Sequence, residues 1–381
     1  RCPVGPRAMD ETTDIAILGG GCAGLSLAYR LIGAGRAVTV IEPRRAYEED
    51  RVWSFWRTAP DPFEHCVVKR WRRWRVAAGE GAVVRSAGGL AYETVGAGRF
   101  YDTCRTAIDG SSDVSLRLGT TGEITDRGAE AVTLTLSGDA PGTLRARHVI
   151  DTRPLPARPA YGQFFRGLEI ETDRPRFDPE CCDLMRFGPP RRDRIDFRYV
   201  LPVSPTRALV EATSFAAAPP GTDALQADLA EALAEETRGA GYRVIRREAG
   251  AIPMDVAHAA PQEHPRIVPF GLRGGAARPA TGYAFTRIQA RADALAARLR
   301  AGRAPAPPAP DGPVMREMDR LFLRVIARVP ERGPELFFRM FDRVPVRRLE
   351  RFLSGSTATA DRLSVIAALP PGLFLSTLAR P

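Results

Sequence analysis

The chain has 381 residues, 44% of them hydrophobic, and a formal net charge of +10. This length allows two domains, or one large two-lobed domain, with a substantial core. Of the 55 lysines and arginines only Lys69 is a lysine, which argues against Schiff-base chemistry. The arginines are scattered along the chain, which argues against a nucleic-acid site, whereas the positive charge is compatible with an anionic lipid surface.

The six cysteines and four histidines show neither a C-x-x-C pair nor a metal-ligand spacing. This pattern predicts a reducing compartment and no zinc site. No run of about 18 apolar residues is present, so the sequence predicts no transmembrane helix. Residues Arg1 to Thr12 are polar and lack a hydrophobic signal region, and we expect them to form a disordered leader.

The most informative pattern is a strand, turn, helix and second strand near the start of the chain. A strand over Asp14–Leu18 leads into the spacing G-x-G-x-x-G at Gly19, Gly21 and Gly24, and the second strand ends at Glu42. Such glycines permit a tight turn, let the backbone approach a pyrophosphate and let the helix pack on the strand. The helix N-terminus attracts phosphate, and the carboxylate can bind a ribose. The pattern predicts an adenine dinucleotide; the alternative is a Rossmann-like unit that has lost its ligand.

The order of the following elements favours a flavin-binding domain over a simple dehydrogenase. An aromatic segment around Trp53 precedes a predicted helix over Tyr101–Ile108. Strands over Ser115–Leu118 and Val132–Ser137 then suggest a small meander, and Arg147–Asp151 reads as the strand that returns to the first sheet.

Strands dominate the middle of the chain. We predict them over Phe164–Glu171, Asp196–Pro202 and Arg207–Phe215, as an antiparallel sheet that forms a substrate lobe. Leucines at four-residue steps predict a helix over Gly221–Arg238, and a Gly-rich turn precedes another helix over Phe285–Leu299.

A Pro-rich stretch, Arg303–Pro313, reads as a loop or linker before the C-terminal region. Residues 314–353 carry apolar side chains at helical spacing with arginines between them. Basic amphipathic helices of this kind can lie in a membrane interface. Ordinary core packing explains the apolar stripe nearly as well.

Several segments together resemble the bacterial lycopene cyclase family of flavoproteins, in order as well as in content, from about Asp14 to the C-terminal end. The matching segments, in chain order, are Val52-Trp53-Ser54-Phe55-Trp56, Val149 to Pro154, Gln163 to Glu169, Tyr199 to Pro202, Arg207 to Thr213, Ala251 to Met254, Arg278 to Tyr283 and Arg347 to Phe352. In the third of these segments, Leu168 stands where the family usually has Trp. Two positions depart from the family pattern. Arg186 stands where Asp is usual, and Ala212 and Thr213 follow Glu211 where a second acid or aromatic residue is common.

The resemblance implies an α/β protein with an α+β second lobe: a Rossmann-type FAD-binding domain, an antiparallel-sheet substrate lobe and a C-terminal helical region. We assign 13–160 and 250–301 to the first, 161–249 to the second and 302–381 to the third, which we expect to contact a membrane. The resemblance also implies a bacterial cytoplasmic protein, peripherally associated with the cytoplasmic membrane.

The activity implied by the resemblance is an isomerisation that needs reduced FAD, with NAD(P)H as electron source, but causes no net redox change. A proton adds to the end of lycopene, the chain end closes into a ring, and a proton leaves to give a β-ionone ring. Such chemistry needs an acid that can protonate an alkene, a cavity without water and negative charge beside a carbocation.

Glu211 is the candidate acid and base, because it lies within an apolar strand that would raise its proton affinity. The alternative is a Glu on the solvent face of an edge strand. Glu169 is a second catalytic candidate, positioning substrate or flavin, or else a surface ion pair with Arg166. Trp53, Phe55 and Trp56 either line a polyene tunnel or pack in the core.

The candidate cofactor-binding residues come from the glycine turn, the second strand, the tryptophan segment and a later turn that resembles the family's second flavin loop. They are Gly19, Gly20, Gly21, Ala23, Gly24, Glu42, Trp53, Pro279, Thr281 and Gly282. For the later turn the alternative is an ordinary helix cap. Cys22 within the glycine turn has no expected redox role.

Two other functions remain open from the sequence. One is a flavin-dependent monooxygenase or prenyl reductase, which would consume NAD(P)H with its substrate. The other is a flavin-binding membrane-surface protein without catalysis. The sequence does not indicate the ring isomer, whether one or both polyene ends react, or the oligomeric state.

Overall fold

The structure is a computed structural model that describes residues 11–155, 159–255, 259–309 and 311–379. Most of the predicted leader lies outside the described residues, but Glu11 and Thr12 already belong to the first strand. The strands are β1 Glu11–Leu18, β2 Val38–Ile41, β3 Val52–Trp56, β4 Val67–Trp71, β5 Arg73–Ala78, β6 Gly81–Ser86, β7 Tyr92–Gly96, β8 Val114–Arg117, β9 Thr120–Arg127, β10 Val132–Gly138, β11 Gly142–Asp151, β12 Gly162–Thr172, β13 Cys181–Phe187, β14 Arg194–Pro202, β15 Arg207–Ala216, β16 Tyr242–Pro253 and β17 Ile267–Pro269. The helices are α1 Cys22–Leu31, α2 Ala97–Asp109, α3 Thr222–Thr237, α4 Phe285–Arg300, α5 Pro313–Arg328, α6 Gly333–Arg343, α7 Val346–Leu353, α8 Thr359–Ala368 and α9 Pro371–Leu378.

The first sheet confirms the predicted dinucleotide-binding unit. Its strands run in the order β8-β2-β1-β11-β10-β9, and β17 also pairs with β11. The long strand β11 has two successive partners on one edge. Its first half pairs antiparallel with β10, and its last residues, from Val149 to Asp151, pair parallel with β17. The meander therefore consists of β9, β10 and β11. The prediction that Ser115–Leu118 belongs to it is wrong, because β8 is a parallel edge strand beside β2.

The second sheet has the order β16-β12-β15-β14-β13-β5-β6. All neighbours are antiparallel except β13 and β5, which are parallel. The three strands predicted between residues 164 and 215 are confirmed at its centre. The sheet also extends beyond the range predicted for the substrate lobe, since β5 and β6 come from residues 73–86 and β16 ends at Pro253.

Alternation along the strands gives this sheet two different faces. On the outer face, Leu168, Val210 and Val200 pack with leucines of α3. On the inner face, Leu209 and Phe215 join a large core with the C-terminal helices. Around Leu209 and Phe215 the inner face is therefore covered by protein.

The apolar stripe of residues 314–353 lies mainly in this core. Among its predicted members, Val325, Leu336, Phe341 and Leu349 are buried there, and Phe322 packs against them. The stripe therefore packs against the sheet, so it is not available as the membrane-facing surface. The exposed apolar side chains of the C-terminal region are instead found mostly on α8 and α9. No helix among the residues that the structure describes is long and apolar enough to cross a membrane.

Arg278 ties the turn before α4 to the C-terminal helices. Its side chain is 1% exposed. It donates hydrogen bonds to both carboxylate oxygens of Asp319 on α5, at 3.1 and 3.2 Å, and to the carbonyl oxygen of Phe352 on α7. The guanidinium also lies 4.5 Å from the ring centroid of Phe352. A buried charge with these partners holds three segments in one arrangement.

We expect Arg278→Met to lower the free energy of unfolding by about 3–5 kcal/mol, because it leaves the carboxylate of Asp319 buried and unpaired. The double variant Arg278→Met/Asp319→Leu should recover part of this loss. Urea denaturation monitored by circular dichroism measures both. Arg320→Met is the control, since Arg320 pairs with the exposed Glu317 and should contribute below about 1 kcal/mol. Equal stability of Arg278→Met and the Arg320 control would contradict the proposed clamp.

Candidate active site

The glycine turn between β1 and α1 has the geometry that a pyrophosphate needs. Gly19 has a φ of +100°, which favours glycine. A methyl group on Gly24 would overlap the carbonyl oxygen of Gly19, so only glycine lets the helix start this close to the strand. A methyl group on Gly21 would meet no protein atom within 4 Å. Space is therefore open at Gly21, where the first N–H groups of α1 lack a side-chain cap.

Glu42 directly follows β2, as predicted, and lies beside the turn. Its Oε2 accepts a hydrogen bond of 2.7 Å from the N–H of Gly20. Its Oε1 accepts bonds from the backbone N–H and the Nε of Arg44, at 2.9 and 2.8 Å. The carboxylate is thus fixed at the strand end, where a ribose would be bound.

The turn over residues 278–283 connects the first domain to the second sheet. Pro279 and Thr281 lie within it, and the N–H of Gly282 donates 2.8 Å to the carbonyl oxygen of Arg278. Gly282 has a φ of +71°, and a methyl group there would lie 3.0 Å from Oε1 of Gln163 on β12. The turn therefore reaches the inner face of the sheet, immediately before α4.

A second loop, the start of the predicted Gly-rich turn before α4, supports the glycine turn, and this contact was not predicted from the sequence. Gly271 follows β17 with a φ of +66°, and a methyl group on it would lie 2.5 Å from Cβ of Ala23. Thr152 closes the other side, donating a hydrogen bond of 2.8 Å to the carbonyl oxygen of Leu18. Close approach of three loops at one helix N-terminus fits the nucleotide part of FAD, with Gly19, Gly20, Gly21, Ala23, Gly24 and Glu42 as the holding residues.

The aromatic segment of β3 is divided between two cores. Trp53 and Phe55 pack against Phe285 at the start of α4, with ring centroids 5.5 and 4.8 Å apart. Trp56 lies in the other core, 4.8 Å from the ring of Tyr92 and 5.8 Å from that of Tyr283. Core packing therefore accounts for Phe55 and Trp56, which are both buried. Trp53 is half-buried beside Tyr101 and remains a candidate flavin neighbour.

Glu211 lies on the inner face of β15 and is 7% exposed. The alternative of a solvent-facing edge strand is wrong, because β15 is paired on both sides, by β12 and β14. Its Oε1 accepts a hydrogen bond of 2.6 Å from the hydroxyl of Thr213. Burial raises the pKa of Glu211 well above its usual range, and the nearby carboxyl of Glu248 raises it further. A carboxyl in this setting binds its proton more tightly than an exposed carboxyl does, which suits the role of an acid.

Glu169 is buried on the same face, but not in the predicted pair with Arg166. Its two oxygens accept hydrogen bonds from Nε of Arg207, at 2.6 Å, and from Nε of Arg246, at 3.1 Å. Arg166 instead donates to Gln226. The prediction of a surface ion pair is therefore wrong, and Glu169 lies between two arginines near Glu211.

The structure adds residues that sequence reasoning missed. Tyr199 on β14 lies directly opposite Glu211, and burial raises the pKa of its hydroxyl well above the usual range. Glu248 and Arg246 on β16 form a buried ion pair on the inner face. Sequence reasoning missed these residues because the face on which a side chain lies depends on the register of its strand. That register is set by pairing between segments that are distant in the chain.

Other polar clusters lie away from the inner face or lack the chemistry of a site. Arg186, which replaces the family's Asp, pairs with Asp183 and Glu236 beside a groove of about 690 Å³ on the outer side of the second sheet. Among the described residues no group of His, Cys, Asp and Glu could hold a metal ion. Burial raises the pKa of the Cys22 thiol to about 12, which disfavours the thiolate.

Comparison with known proteins gives a family and a fold. A family model described as lycopene cyclase protein matches residues 14–379. A lycopene beta-cyclase of Paracoccus sp. is 33% identical over 228 residues, which is 55% of this chain and 56% of that protein. A lycopene beta-cyclase of Pseudescherichia vulneris is 27% identical over 187 residues, 46% of this chain and 48% of that protein. The chain thus spans about half the length of the curated relatives it matches.

Solved flavoproteins share the architecture at low identity. A geranylgeranyl bacteriochlorophyll reductase-like protein from Thermoplasma acidophilum has a TM-score of 0.64 at 12% identity, covering 96% of this chain and 98% of that chain. A flavoprotein/dehydrogenase from Cytophaga hutchinsonii has a TM-score of 0.64 at 12% identity, covering 97% and 99%. The flavin-dependent monooxygenase PieE, solved with FAD and substrate, has a TM-score of 0.57 at 15% identity, covering 98% and 72%. These similarities confirm the predicted α/β flavoprotein fold.

Two glycine variants separate folding from cofactor binding at the turn. We expect Gly24→Ala to destabilise the apoprotein by on the order of 1–3 kcal/mol, because its methyl group would overlap backbone. Gly21→Ala should leave the apoprotein's stability within about 0.5 kcal/mol but weaken FAD binding, since its methyl group occupies the open space at the helix N-terminus.

Thermal unfolding of apoprotein and fluorescence titration with FAD measure the two effects. Gly89→Ala, whose methyl group also meets nothing within 4 Å, is the control and should change neither. Unaltered FAD affinity in Gly21→Ala would place the pyrophosphate elsewhere.

Proposed function

The chain belongs to the lycopene cyclase family, and we propose that it closes linear ends of lycopene into β-ionone rings, giving γ- or β-carotene. The buried carboxyl of Glu211 is the observation that carries the proposal. It combines a raised pKa with a position on a covered sheet face that also meets the turn at Gly282. The proposed enzyme is an isomerase that needs reduced FAD and uses NAD(P)H as the electron source for that flavin.

In the proposed reaction, Glu211 donates its proton to the terminal double bond of the polyene. The resulting tertiary cation is attacked by the neighbouring double bond, so that one carbon–carbon bond forms and the ring closes. A proton then leaves the ring to the Glu211 carboxylate, which restores the acid. One proton is given and one is returned, and no atom is oxidised or reduced. Reduced FAD, when bound, supplies negative charge beside the cation.

The protein's own residues keep water from this cation. Tyr92 is buried and Tyr199 and Tyr283 are half-buried, and burial raises the pKa of each hydroxyl. They lie between Glu211 and the aromatic side chains of β3. Aromatic faces stabilise a passing carbocation by their quadrupole and offer no strong nucleophile. We assign Glu169 a positioning role, because both its oxygens are bonded to arginines.

We also propose peripheral membrane contact, because the substrate is apolar. Leu363 and Ile366 on α8 and Leu375 and Leu378 on α9 are each more than half exposed. No acidic residue occurs between Arg362 and Ala379. Exposed arginines of α7 border α8, where Arg348 donates a hydrogen bond to Ser364. Apolar side chains with a basic rim match the interface of an anionic bilayer.

Glu211→Gln should retain FAD and fold normally but lose ring formation by on the order of 100-fold or more, because an amide cannot donate the proton. The measurement is chromatography of carotenoids from lycopene supplied in liposomes with enzyme and reduced FAD. Glu171→Gln is the matched control on the neighbouring strand β12, where Glu171 pairs with Arg243 near the surface. Full cyclisation by Glu211→Gln would remove Glu211 from the mechanism. Consumption of NAD(P)H in proportion to product would instead support the reductase or monooxygenase alternative.

Replacing Leu363, Ile366, Leu375 and Leu378 together by Ser should lower binding to vesicles containing phosphatidylglycerol by roughly tenfold or more. Stability should change little, since the four side chains are exposed. Sedimentation with vesicles measures the binding. Val84→Ser/Tyr242→Ser, which removes two exposed apolar side chains elsewhere, is the control. Equal losses in the two variants would contradict a docking face on α8 and α9.

A further inference from the structure

Gly167 brings two acidic side chains together across three strands. On the inner face, Gly167 of β12 lies opposite Glu211 of β15 on one side and opposite Glu248 of β16 on the other. A methyl group on Gly167 would lie 3.2 Å from Cγ of Glu248 and 3.4 Å from Cβ of Glu211. Because glycine has no side chain, the two acids lean over it, and the carboxyl of Glu248 is close enough to raise the pKa of Glu211.

Two buried carboxyl groups this close to each other favour sharing one proton, since two carboxylates repel each other and offer no donor. Both acids are buried, and Arg246 is ion-paired with Glu248 but not with Glu211. The positive charge therefore stabilises negative charge on Glu248 more than on Glu211. The arrangement therefore favours placing the proton on Glu211.

We propose that Glu248 is a positioning residue of the cyclisation, which shares one proton with Glu211 across Gly167 and keeps that proton on Glu211 before the substrate reacts. This inference rests on the proposed function for its consequence in catalysis, but the shared proton itself does not depend on the reaction.

The proposal also accounts for the return of the proton. When Glu211 has protonated the polyene, Glu211 and Glu248 both carry negative charge in a buried site. Repulsion between them raises the proton affinity of Glu211, which favours removal of the proton from the closed ring. Glu211 gives one proton to the polyene and takes one proton from the ring. The pair of Glu211 and Glu248 therefore ends the reaction with the single shared proton with which it began.

Other groups near the pair contribute to its titration. From the sheet they are the hydroxyls of Thr213 and Tyr199, which lie beside Glu211, and the ion-paired Glu169, Arg207 and Arg246. From the elements packed against the sheet they are Tyr92 and Tyr283, which adjoin Tyr199, and Glu49, which interacts with Arg246 and Glu169. The variants below change one member and leave these groups in place.

Infrared difference spectroscopy tests the shared proton without using the reaction. Titration of the wild-type holoenzyme should show the C=O band of a buried protonated carboxyl, which is absent in Glu211→Gln. In Glu248→Gln the band should titrate at a pH lower by about one unit or more, because a negative neighbour has been removed. Glu248→Asp retains the charge and should restore most of the wild-type value.

Activity should follow the same shift. The alkaline limb of the pH profile of kcat should move to lower pH by about the same amount in Glu248→Gln, with KM little changed, since the acid needs its proton. Gly167→Ala wedges a methyl group between the two side chains and should shift the limb in the same direction by less. Glu171→Gln serves again as the control with no shift. Thermal unfolding identifies any variant that fails to fold. If one of Glu248→Gln, Glu248→Asp and Gly167→Ala does not fold, the other two test the proposal.

An unchanged carboxyl titration in folded Glu248→Gln or Gly167→Ala would overturn the proposal, as would a uniform loss of activity at every pH. If wild-type enzyme forms no rings from lycopene, the proposed function fails. A shifted infrared titration in the variants would still support the shared proton in that case, so the two failures are distinguishable.

Discussion

The buried guanidinium of Arg278 is the contact on which the site depends. It holds the turn before α4 against Asp319 of α5 and the end of α7. These helices in turn cover the inner face of the second sheet. Without that cover, Glu211 would face solvent and its carboxyl would titrate as an ordinary acid. The ion pair between the turn and α5 thus supports the low-dielectric space in which the proposed chemistry can occur.

Burial of carboxyl groups is normally destabilising, and the sheet offsets it in two different ways. Glu169 and Glu248 lie beside arginines, and their negative charge is stabilised by ion pairs. Glu211 receives a hydroxyl bond from Thr213 and no direct ion pair among the described residues, and burial raises its pKa. Neighbouring acids on one sheet face therefore have different electrostatic environments. This difference suits Glu211 to the proposed role of proton donor, whereas Glu169 and Glu248 are held in ion pairs.

The parts that could be predicted from sequence are those that depend on local pattern. The unit from Asp14 to Glu42 uses contacts between neighbouring elements, so its strands, helix and turn follow from spacing alone. The burial of Glu211 followed from the apolar residues around it in one strand. Its position opposite Gly167 and near Glu248 did not, because cross-strand register joins segments far apart in the chain. For the same reason the parallel pairing of β5 with β13 left no local signal.

The C-terminal region shows a different limit. An apolar stripe flanked by arginines has the same periodicity whether it faces lipid or a protein core. The structure separates the two cases: the stripe on α5 to α7 packs under the second sheet, and α8 and α9 carry exposed leucines. Helix α5 belongs to both environments, because Asp319 pairs with Arg278 of the turn before α4, while Arg324 donates to the carbonyl oxygen of Thr377 on α9. A single helix therefore connects the surface that we propose for lipid with the layer that buries Glu211. An apolar polyene needs such continuity, since every stretch of water along its path would oppose its transfer from bilayer to acid.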